Sequence, residues 1–408
     1  MKFTLKKRIA VLAVAASILS IANLVFAGEK LKVFILAGQS NMVGHANPHT
    51  IATLYQSTDV RDGELVRLVF KEGSAVSKKA FDEQLSRAIE LDELTGGISN
   101  DRLKKMNAGP ERTALEAKVK KLKDAHEAYK NNVISSCLVS DRVYINSIAD
   151  GSRKSGRLGV GYGGGGTRIG PEFSFGLSLA KKIDGPILLI KTSWGGKSLH
   201  YDFRPPSAGE YELNEKERSG DKAAEIKKNA GRYYRMMNEA VHEVLKNPKG
   251  NHPAYDAEAG YEIAGFVWFQ GFNDQFSPAF RDNYKENMIS FIKDVRKEYK
   301  TPKMPFIIGV LGTNVTKEKV AENQVSLGQR EAAKLPEFKG NVRAVESYTE
   351  YSHYSNEIFK KGWPEHYHEW DTVGSDRPYH YLGSGAFFVR LGDSFATSMA
   401  DLIAEQKK

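Results

Sequence analysis

Cysteine is almost absent from this chain of 408 residues, in which Cys137 is the only one. A single cysteine excludes an internal disulfide and a zinc site built from thiolates. The residues around it, Ile-Ser-Ser-Cys-Leu-Val, are typical of a protein core rather than of a reactive site. A disulfide-stapled scaffold and a cysteine-based metal fold are therefore excluded.

Long apolar runs are missing after residue 27, because no later segment approaches the roughly 18 apolar residues that a membrane span needs. The N-terminal segment, in contrast, does contain an apolar run. Four basic residues in the first eight positions precede an apolar stretch, and Val25-Phe26-Ala27 offers small residues at the positions that a signal peptidase reads. We predict a signal peptide over 1–27 and a periplasmic or secreted protein that does not contact the membrane after cleavage. The alternative is an uncleaved membrane anchor.

Charge of one sign is not concentrated in any segment of the mature chain. The formal net charge is +9, and removal of the four basic residues in 1–27 lowers it to +5. A dispersed charge of this size does not favour nucleic acid as a partner. The glycines of Gly161 to Gly166 lack the Lys-Ser/Thr ending of a phosphate-binding loop and the spacing of a dinucleotide-binding one.

The pattern that is present is an alternation of apolar strands and amphipathic helices after residue 28. We predict strands over 32–37, 142–146, 186–192, 262–269, 304–311 and 342–347. We predict helices over 172–183, 222–246, 279–299, 320–334 and 384–405. Such alternation indicates βαβ units and a mainly parallel sheet. One domain over 28–408 fits this length, with a helical insertion over about 59–140.

Residues that carry chemistry follow three of the predicted strands. Gly38-Gln39-Ser40-Asn41-Met42 follows the first, and it places a serine where open α/β sheets bind ligands. Gly195-Gly196 follows the strand 186–192, and Gln270-Gly271-Phe272-Asn273-Asp274 follows the strand 262–269. Exposed backbone N–H groups and a side-chain amide can stabilise an oxyanion. Each segment alone could equally be a helix cap or an ordinary turn.

A fourth segment, Ser375-Asp376-Arg377-Pro378-Tyr379-His380, lies before the last predicted helix and brings an acid close to a histidine. Together the four segments supply a nucleophile, a base, an orienting acid and donors for an oxyanion. Those are the parts that acyl transfer by a serine requires.

These motifs resemble those of the SGNH hydrolase superfamily and, more narrowly, those of the sialate O-acetylesterase-type carbohydrate esterases, which include acetylxylan esterases. The segments Gly170-Pro171-Glu172 and Asp202-Phe203-Arg204-Pro205-Pro206 look like a bacterial branch of that group. The resemblance covers most of the chain from 30 to 400, apart from the insertion. The fold that it implies is a flavodoxin-like three-layer α/β/α sandwich.

The resemblance implies Ser40 as the nucleophile and His380 as the general base and acid. It implies an oxyanion hole made by the backbone N–H of Ser40, that of Gly195 or Gly196, and the side chain of Asn273. The residues expected to bind substrate are Gln39, Asn41, Trp194, Gln270 and Tyr379. Neither a metal nor a cofactor is implied.

Two departures from the family pattern matter. The superfamily usually places its acid three residues before the histidine, where this chain has Arg377, and Asp376 is one residue farther away. We expect Asp376 to act through a bulged loop, with Asp371 or a backbone carbonyl as the alternative partner of the histidine. Phe272 stands where relatives often carry an acidic residue, which leaves polar contacts to the sugar open at this point.

The predicted function is an exported serine esterase that removes O-acetyl groups from an oligo- or polysaccharide. Glu365 to Asp371 contains the histidines and carboxylates of a metal-ligand cluster, but we expect a polar, aromatic loop that faces the substrate. The alternative from another class is a non-catalytic carbohydrate-binding protein that retains the fold. A lipase or thioesterase is disfavoured because the sequence has no long apolar lid segment near the site.

Overall fold

The computed structural model describes residues 28–98, 102–313 and 316–407. The predicted signal peptide lies outside these described residues. Within them one sheet is formed by β1 Leu31–Gly38, β2 Val143–Ala149, β3 Ser152–Arg157, β4 Ile187–Ser193, β5 Tyr261–Phe269, β6 Phe306–Val310 and β7 Val342–Glu346. The strand order is β3-β2-β4-β1-β5-β6-β7. All neighbours are parallel except β2 and β3, which are antiparallel.

The α-helices of the described residues are α1 Ser40–Val43, α2 Val60–Val69, α3 Lys78–Thr95, α4 Arg102–Lys105, α5 Pro110–Ser136, α6 Glu172–Ala180, α7 Glu215–Arg218, α8 Ala223–Asn229, α9 Arg232–Leu245, α10 Pro248–Asn251, α11 Pro278–Asp282, α12 Tyr284–Glu298, α13 Lys317–Glu322, α14 Gln324–Ala333, α15 His353–Lys360, α16 Tyr367–Val373 and α17 Gly385–Glu405. Short 3-10 turns include Pro48–Gln56, Phe272–Phe276 and Pro378–Gly383.

Strand β1 presents apolar side chains to both faces of the sheet, and helices cover each face. Phe34 and Leu36 belong to one buried cluster with side chains of α6 and α17. Val33 and Ile35 belong to a second cluster with side chains of α9 and α12. A parallel strand that is buried on both faces has a continuous apolar run, as β1 does from Val33 to Ala37. The predicted three-layer α/β/α fold with a mainly parallel sheet is confirmed.

The segment between α1 and β2 is helical. Its longest helix, α5, buries Val119, Tyr129 and Val133 and leaves most of its charged residues exposed. Helix α3 packs on α16, which lies just before the segment that contains Asp376 and His380. No helix in the described ranges is both long enough and apolar enough to cross a membrane.

Three predicted helices are each divided in two, and one strand was not predicted. Gly231, with a φ of +70°, separates α8 from α9. Asn323 ends α13 and caps α14 by accepting the backbone N–H of Ser326. Asn283 separates α11 from α12. Strand β3 has no apolar run, since its six residues Ser-Arg-Lys-Ser-Gly-Arg are almost all exposed.

Candidate active site

The central strands β4, β1 and β5 carry three of the predicted segments to one edge of the sheet. Gly38, at the end of β1, is in register with Ser193 of β4 and Phe269 of β5. Ser40, Gly195 and Gln270 follow these strand ends within two residues. After β1 the chain forms β2, β3 and β4 on one side of that strand, and after β4 it crosses to the other side, where β5, β6 and β7 lie. Open α/β sheets bind ligands at such a crossing point.

Gly38 allows the sharp turn that leads to Ser40. Its φ is +155°, and an added Cβ would lie 2.1 Å from the carbonyl oxygen of Phe269. Helix α1 begins at Ser40, so the N–H of this residue has no partner within the helix. The residue is 7% exposed, and neither its N–H nor its hydroxyl has a hydrogen-bond partner among the described residues.

Gln39 connects the turn after β1 to the turn after β5. Its side chain is almost fully buried, and its Oε1 accepts hydrogen bonds from the Gly271 N–H at 3.1 Å and the Gln270 Nε2 at 3.2 Å. Its Nε2 donates to Asn273 Oδ1 at 3.1 Å. The Nδ2 of Asn273 in turn donates to the Gly196 carbonyl at 3.0 Å. The Asn273 amide is thus oriented from both ends.

The two glycines after β4 are not equivalent. The N–H of Gly195 donates to Asp150 Oδ1 at 2.6 Å. Gly196 has a φ of +68° and is exposed, and its N–H has no partner in the part of the chain that the structure describes. Of the two predicted alternatives for the oxyanion hole, the structure leaves Gly196 available and Gly195 occupied.

The fourth segment lies over the same edge of the sheet. Asn41 Nδ2 donates to the Tyr379 carbonyl at 3.2 Å, which ties this loop to α1. His380 Nδ1 lies 3.2 Å from Asp376 Oδ2, with the two side chains 15% and 17% exposed. Burial would raise the pKa of Asp376, but its interactions with His380 and His45 hold that pKa well below the usual range. Asp376 is therefore a carboxylate at neutral pH.

Asp371, the alternative acid, lies in a different cluster. Its Oδ2 accepts hydrogen bonds from His126 Nε2 at 3.1 Å and Lys130 Nζ at 2.9 Å, both on α5. Burial opposes its ionisation, but His126, His49 and Lys130 hold its pKa well below the usual range. The structure brings Asp376, and not Asp371, next to His380.

The Glu365–Asp371 segment does not direct its side chains to one point. His368 Nδ1 pairs with Asp92 at 2.8 Å, and Glu369 pairs with Lys361. This segment therefore holds helices together rather than facing a common ligand.

A metal-ligand set does occur elsewhere in the described residues, and it consists of His45, Asp376 and His380. The two imidazole rings are stacked, with centroids 3.9 Å apart and planes at 18°. A metal ion binds an imidazole nitrogen along its lone pair, in the plane of the ring, and one ion cannot lie in two stacked planes. The arrangement therefore suits contacts of both imidazoles with the Asp376 carboxylate rather than the binding of a metal.

Two residues beside Asp376 were not predicted. His45 Nδ1 lies 3.0 Å from Asp376 Oδ2. Arg168 Nη1 lies 3.0 Å from His45 Nδ1 and 3.4 Å from Asp376 Oδ2. The nearness of His45 to Ser40 in sequence was a usable signal. Arg168 gave none, because it reaches the site through a β-bridge between Ala46 and Ile169.

Four of the five predicted substrate-binding residues are buried. Gln39, Asn41, Gln270 and Trp194 are each at most 7% exposed. The amides bond to one another or to the neighbouring loops, and Trp194 packs on Phe203 and Tyr233. These four side chains build the site, whereas Tyr379, 44% exposed, offers a surface to a ligand.

Two buried groups, Lys191 and Asp274, form hydrogen bonds with the backbone of the loops around the site. Lys191 Nζ donates to Glu172 Oε2 and to the Val43 carbonyl at the end of α1, both at 2.8 Å. Burial lowers the pKa of Lys191, and Glu172 opposes that shift. Asp274 accepts two consecutive backbone N–H groups that begin at Leu199, and burial raises its pKa to about 7.

A family model matches this chain over residues 164–356, nearly half of its length, and the family is described as carbohydrate esterase, sialic acid-specific acetylesterase. Over this range the chain matches the sialate O-acetylesterase-type carbohydrate esterases, the group that its motifs resemble. This esterase is therefore a carboxylic ester hydrolase, as its motifs predicted. The matched range contains Gly196 and Asn273 and leaves Ser40 and His380 outside it. A search of curated proteins gives no match.

Solved structures similar to this esterase include a protein from Arabidopsis thaliana, with 16% identity and a TM-score of 0.37 over 78% of this chain and 86% of that one. A carbohydrate acetylesterase from Xanthomonas citri has 14% identity and a TM-score of 0.36 over 77% of this chain. The match spans 49% of that enzyme, about half of its length. NanS has 10% identity and a TM-score of 0.37 over 78% of each chain.

Proposed function

We propose that this esterase is exported and removes O-acetyl groups from a carbohydrate through a Ser40–His380–Asp376 acyl-enzyme mechanism. The observation that carries the proposal is that all of the required groups lie at one edge of the sheet. The His380–Asp376 pair, 3.2 Å apart, belongs to a loop that Asn41 ties to the turn containing Ser40.

Acylation uses three kinds of group. Ser40 Oγ attacks the acetyl carbonyl carbon while His380 Nε2 takes its proton. The carbonyl oxygen becomes an oxyanion, for which the unpaired N–H groups of Ser40 and Gly196 and the second hydrogen of Asn273 Nδ2 are donors. One such donor typically contributes about 3–4 kcal/mol in the transition state. The bond to the sugar oxygen then breaks, and His380 returns the proton to that oxygen.

Deacylation repeats these steps with water as the nucleophile. His380 takes a proton from the water as it attacks the acetyl-Ser40 carbonyl. The same donors stabilise the second oxyanion. Acetate leaves when the bond between its carbonyl carbon and Ser40 Oγ breaks. His380 returns the proton to Oγ, which regenerates the free enzyme.

Asp376 acts through His380. Its carboxylate lies 3.2 Å from Nδ1 without an aligned hydrogen bond, and its charge favours the tautomer with the proton on Nδ1 and the lone pair on Nε2, where Ser40 needs it. The stacked ring of His45 limits rotation of the His380 ring, so we assign His45 a positioning role. The unpaired hydroxyl of Ser40 fits a free enzyme, because catalytic hydrogen bonds often form fully only when substrate binds.

Export is supported by the position of Gly28. Its backbone nitrogen donates to Asp256 Oδ2 at 3.1 Å. Cleavage after Ala27, as the signal-peptide pattern predicts, would turn this N–H into an ammonium group that faces a carboxylate. Charged hydrogen bonds of this kind are stronger than neutral ones. Amino-terminal sequencing of the protein from a periplasmic or culture fraction tests the site, and a first residue other than Gly28 contradicts it.

The mechanism is tested with Ser40→Ala and a matched control, Ser86→Ala, whose side chain is exposed on α3. We expect Ser40→Ala to lower the release of acetate from an acetylated glycan by at least about 10⁴-fold, since a triad lacks function without its nucleophile. A fluorophosphonate should label the wild type and the control but not Ser40→Ala. Retention of more than about a tenth of the activity would remove Ser40 from the mechanism.

A further inference from the structure

A row of aromatic rings leads away from His380 across the surface of the site. The Tyr379 ring lies 4.5 Å from the His380 ring, the Phe272 ring 5.9 Å from that of Tyr379, and the Phe276 ring 5.1 Å from that of Phe272. Tyr379 is 44% exposed and Phe276 is 68% exposed. Large aromatic side chains left in water beside a reactive centre mark a surface that binds an apolar face.

The row begins beside His380, where the leaving group must be. His380 protonates the departing oxygen, so the group that carries this oxygen has to sit against the His380 ring. The acyl oxygen points instead toward Gly196 and Asn273. Tyr379, whose ring contacts that of His380, therefore borders the departing alcohol, and Phe272 continues the row from it.

We infer that Phe272, Phe276 and Tyr379 form a stacking surface for the departing sugar, and that they bind the apolar C–H face of a pyranose ring. This inference rests on the proposed function. Transfer of that face from water onto aromatic carbon is favourable in proportion to the apolar area covered. The row itself carries no charge, and the basic residue of the same loop, Arg377, lies over the Trp363 ring at 4.3 Å. A neutral ring face is thus the chemistry that the surface fits.

The inference has a kinetic consequence. In an acyl-enzyme mechanism the sugar is present only until acylation is complete, and every acetate ester then gives the same acetyl-enzyme. A surface that binds the sugar must therefore affect kcat/KM, which reports the steps up to acylation. It must do so for esters with a sugar leaving group more than for esters with a small one.

The test compares three esters: an O-acetylated methyl pyranoside, methyl acetate, and methyl benzoate, which has its ring on the acyl side. The variants are Phe276→Ala, Tyr379→Ala and Tyr379→Phe. Tyr261→Ala serves as the matched control, because Tyr261 is 41% exposed and lies at the start of β5, at the opposite edge of the sheet. The rate of acid release, measured as a function of the concentration of each ester, gives kcat/KM.

We expect the ratio of kcat/KM for the pyranoside to that for methyl acetate to fall about five- to tenfold in each alanine variant. Tyr379→Phe should restore most of the ratio, and Tyr261→Ala should not change it. An equal loss for both acetate esters, or a loss confined to methyl benzoate, would overturn the inference. Failure of the proposed mechanism would look different, since Ser40→Ala would then still hydrolyse methyl acetate.

Discussion

His380 Nδ1 lies 3.2 Å from Asp376 Oδ2, across one more intervening residue than the family spacing provides. Arg377 is extended, as a residue before proline should be, but Pro378 then begins a tight turn in which the His380 N–H donates to the Arg377 carbonyl at 2.9 Å. Tyr381 and Leu382 close the loop with φ values of +49° and +64°. The turn absorbs the additional residue and returns the imidazole to the carboxylate.

The first prediction separates the two candidate acids. Asp376→Asn should lower kcat by about 10³–10⁴-fold because the amide favours the wrong histidine tautomer. Asp371→Asn should instead lower the melting temperature, since it leaves Lys130 without its buried carboxylate, and it should keep kcat per folded molecule within a few-fold. Kinetics and thermal unfolding of both variants check this. A large loss of kcat in Asp371→Asn alone would give the orienting role to Asp371.

The second prediction concerns the oxyanion hole. Asn273→Ala should reduce kcat by about 10²–10³-fold with little change in KM, because its amide meets a charge that exists only in the transition state. Steady-state kinetics on one acetylated substrate provide the measurement. A raised KM with an unchanged kcat would make Asn273 a substrate-binding residue.

The third prediction concerns His45 as a positioning residue. His45→Ala should lower kcat about tenfold, with KM within about twofold of the wild type, because the His380 ring loses its stacked neighbour and its orientation. His45→Phe keeps a flat ring in the stack and should recover most of that loss. If both variants match the wild type, or if KM rises while kcat holds, the positioning role is wrong.

The fourth prediction is a pH dependence of stability. His252 is buried, its Nδ1 accepts the Ala254 N–H, and burial lowers its pKa from 6.5 to about 4, although a hydrogen bond to the Arg142 carbonyl opposes the shift. Between pH 6.5 and 4, His252 is therefore protonated in the unfolded chain but neutral in the folded one. The free energy of unfolding must therefore fall as the pH drops from about 6.5 to 4, by on the order of 3 kcal/mol for a shift of this size.

Urea unfolding of the wild type and His252→Gln at several pH values between 4 and 7 measures this slope. The variant should lose less stability on acidification than the wild type. His200 contributes in the same direction in both proteins, because burial lowers its pKa to about 4 as well. Parallel slopes for the two proteins would show that His252 does not carry the effect.

Much of the fold could be predicted because its signals are local. A parallel strand covered on both faces has a continuous apolar run, and β1, β4 and β5 contain such runs at 33–37, 187–190 and 263–269. Their carboxyl ends meet at one edge, so the segments that follow them could be expected to lie together. Strand β3 pairs through its backbone while exposing its side chains, and no residue pattern predicts that.

The arrangement around Asp376 was less accessible to prediction. Arg168 and Asp376 are 208 residues apart in sequence, and they meet only because two irregular loops cross the same edge of the sheet. The commitment of the Gly195 N–H to Asp150 depends likewise on a positive φ of 47° at Asp150. Such contacts follow from backbone geometry that residue types alone do not determine.

The hydrogen bond from Asn41 to Tyr379 closes the site across 338 residues of sequence. A ribosome adds residues in order, at about 5–20 per second, so the turn with Ser40 is made first and the loop with His380 is made near the end. A nascent chain that stops before residue 376 contains the proposed nucleophile and the proposed oxyanion donors but lacks the proposed base. Under the proposed mechanism, ester hydrolysis is thus withheld from translation products that end before His380.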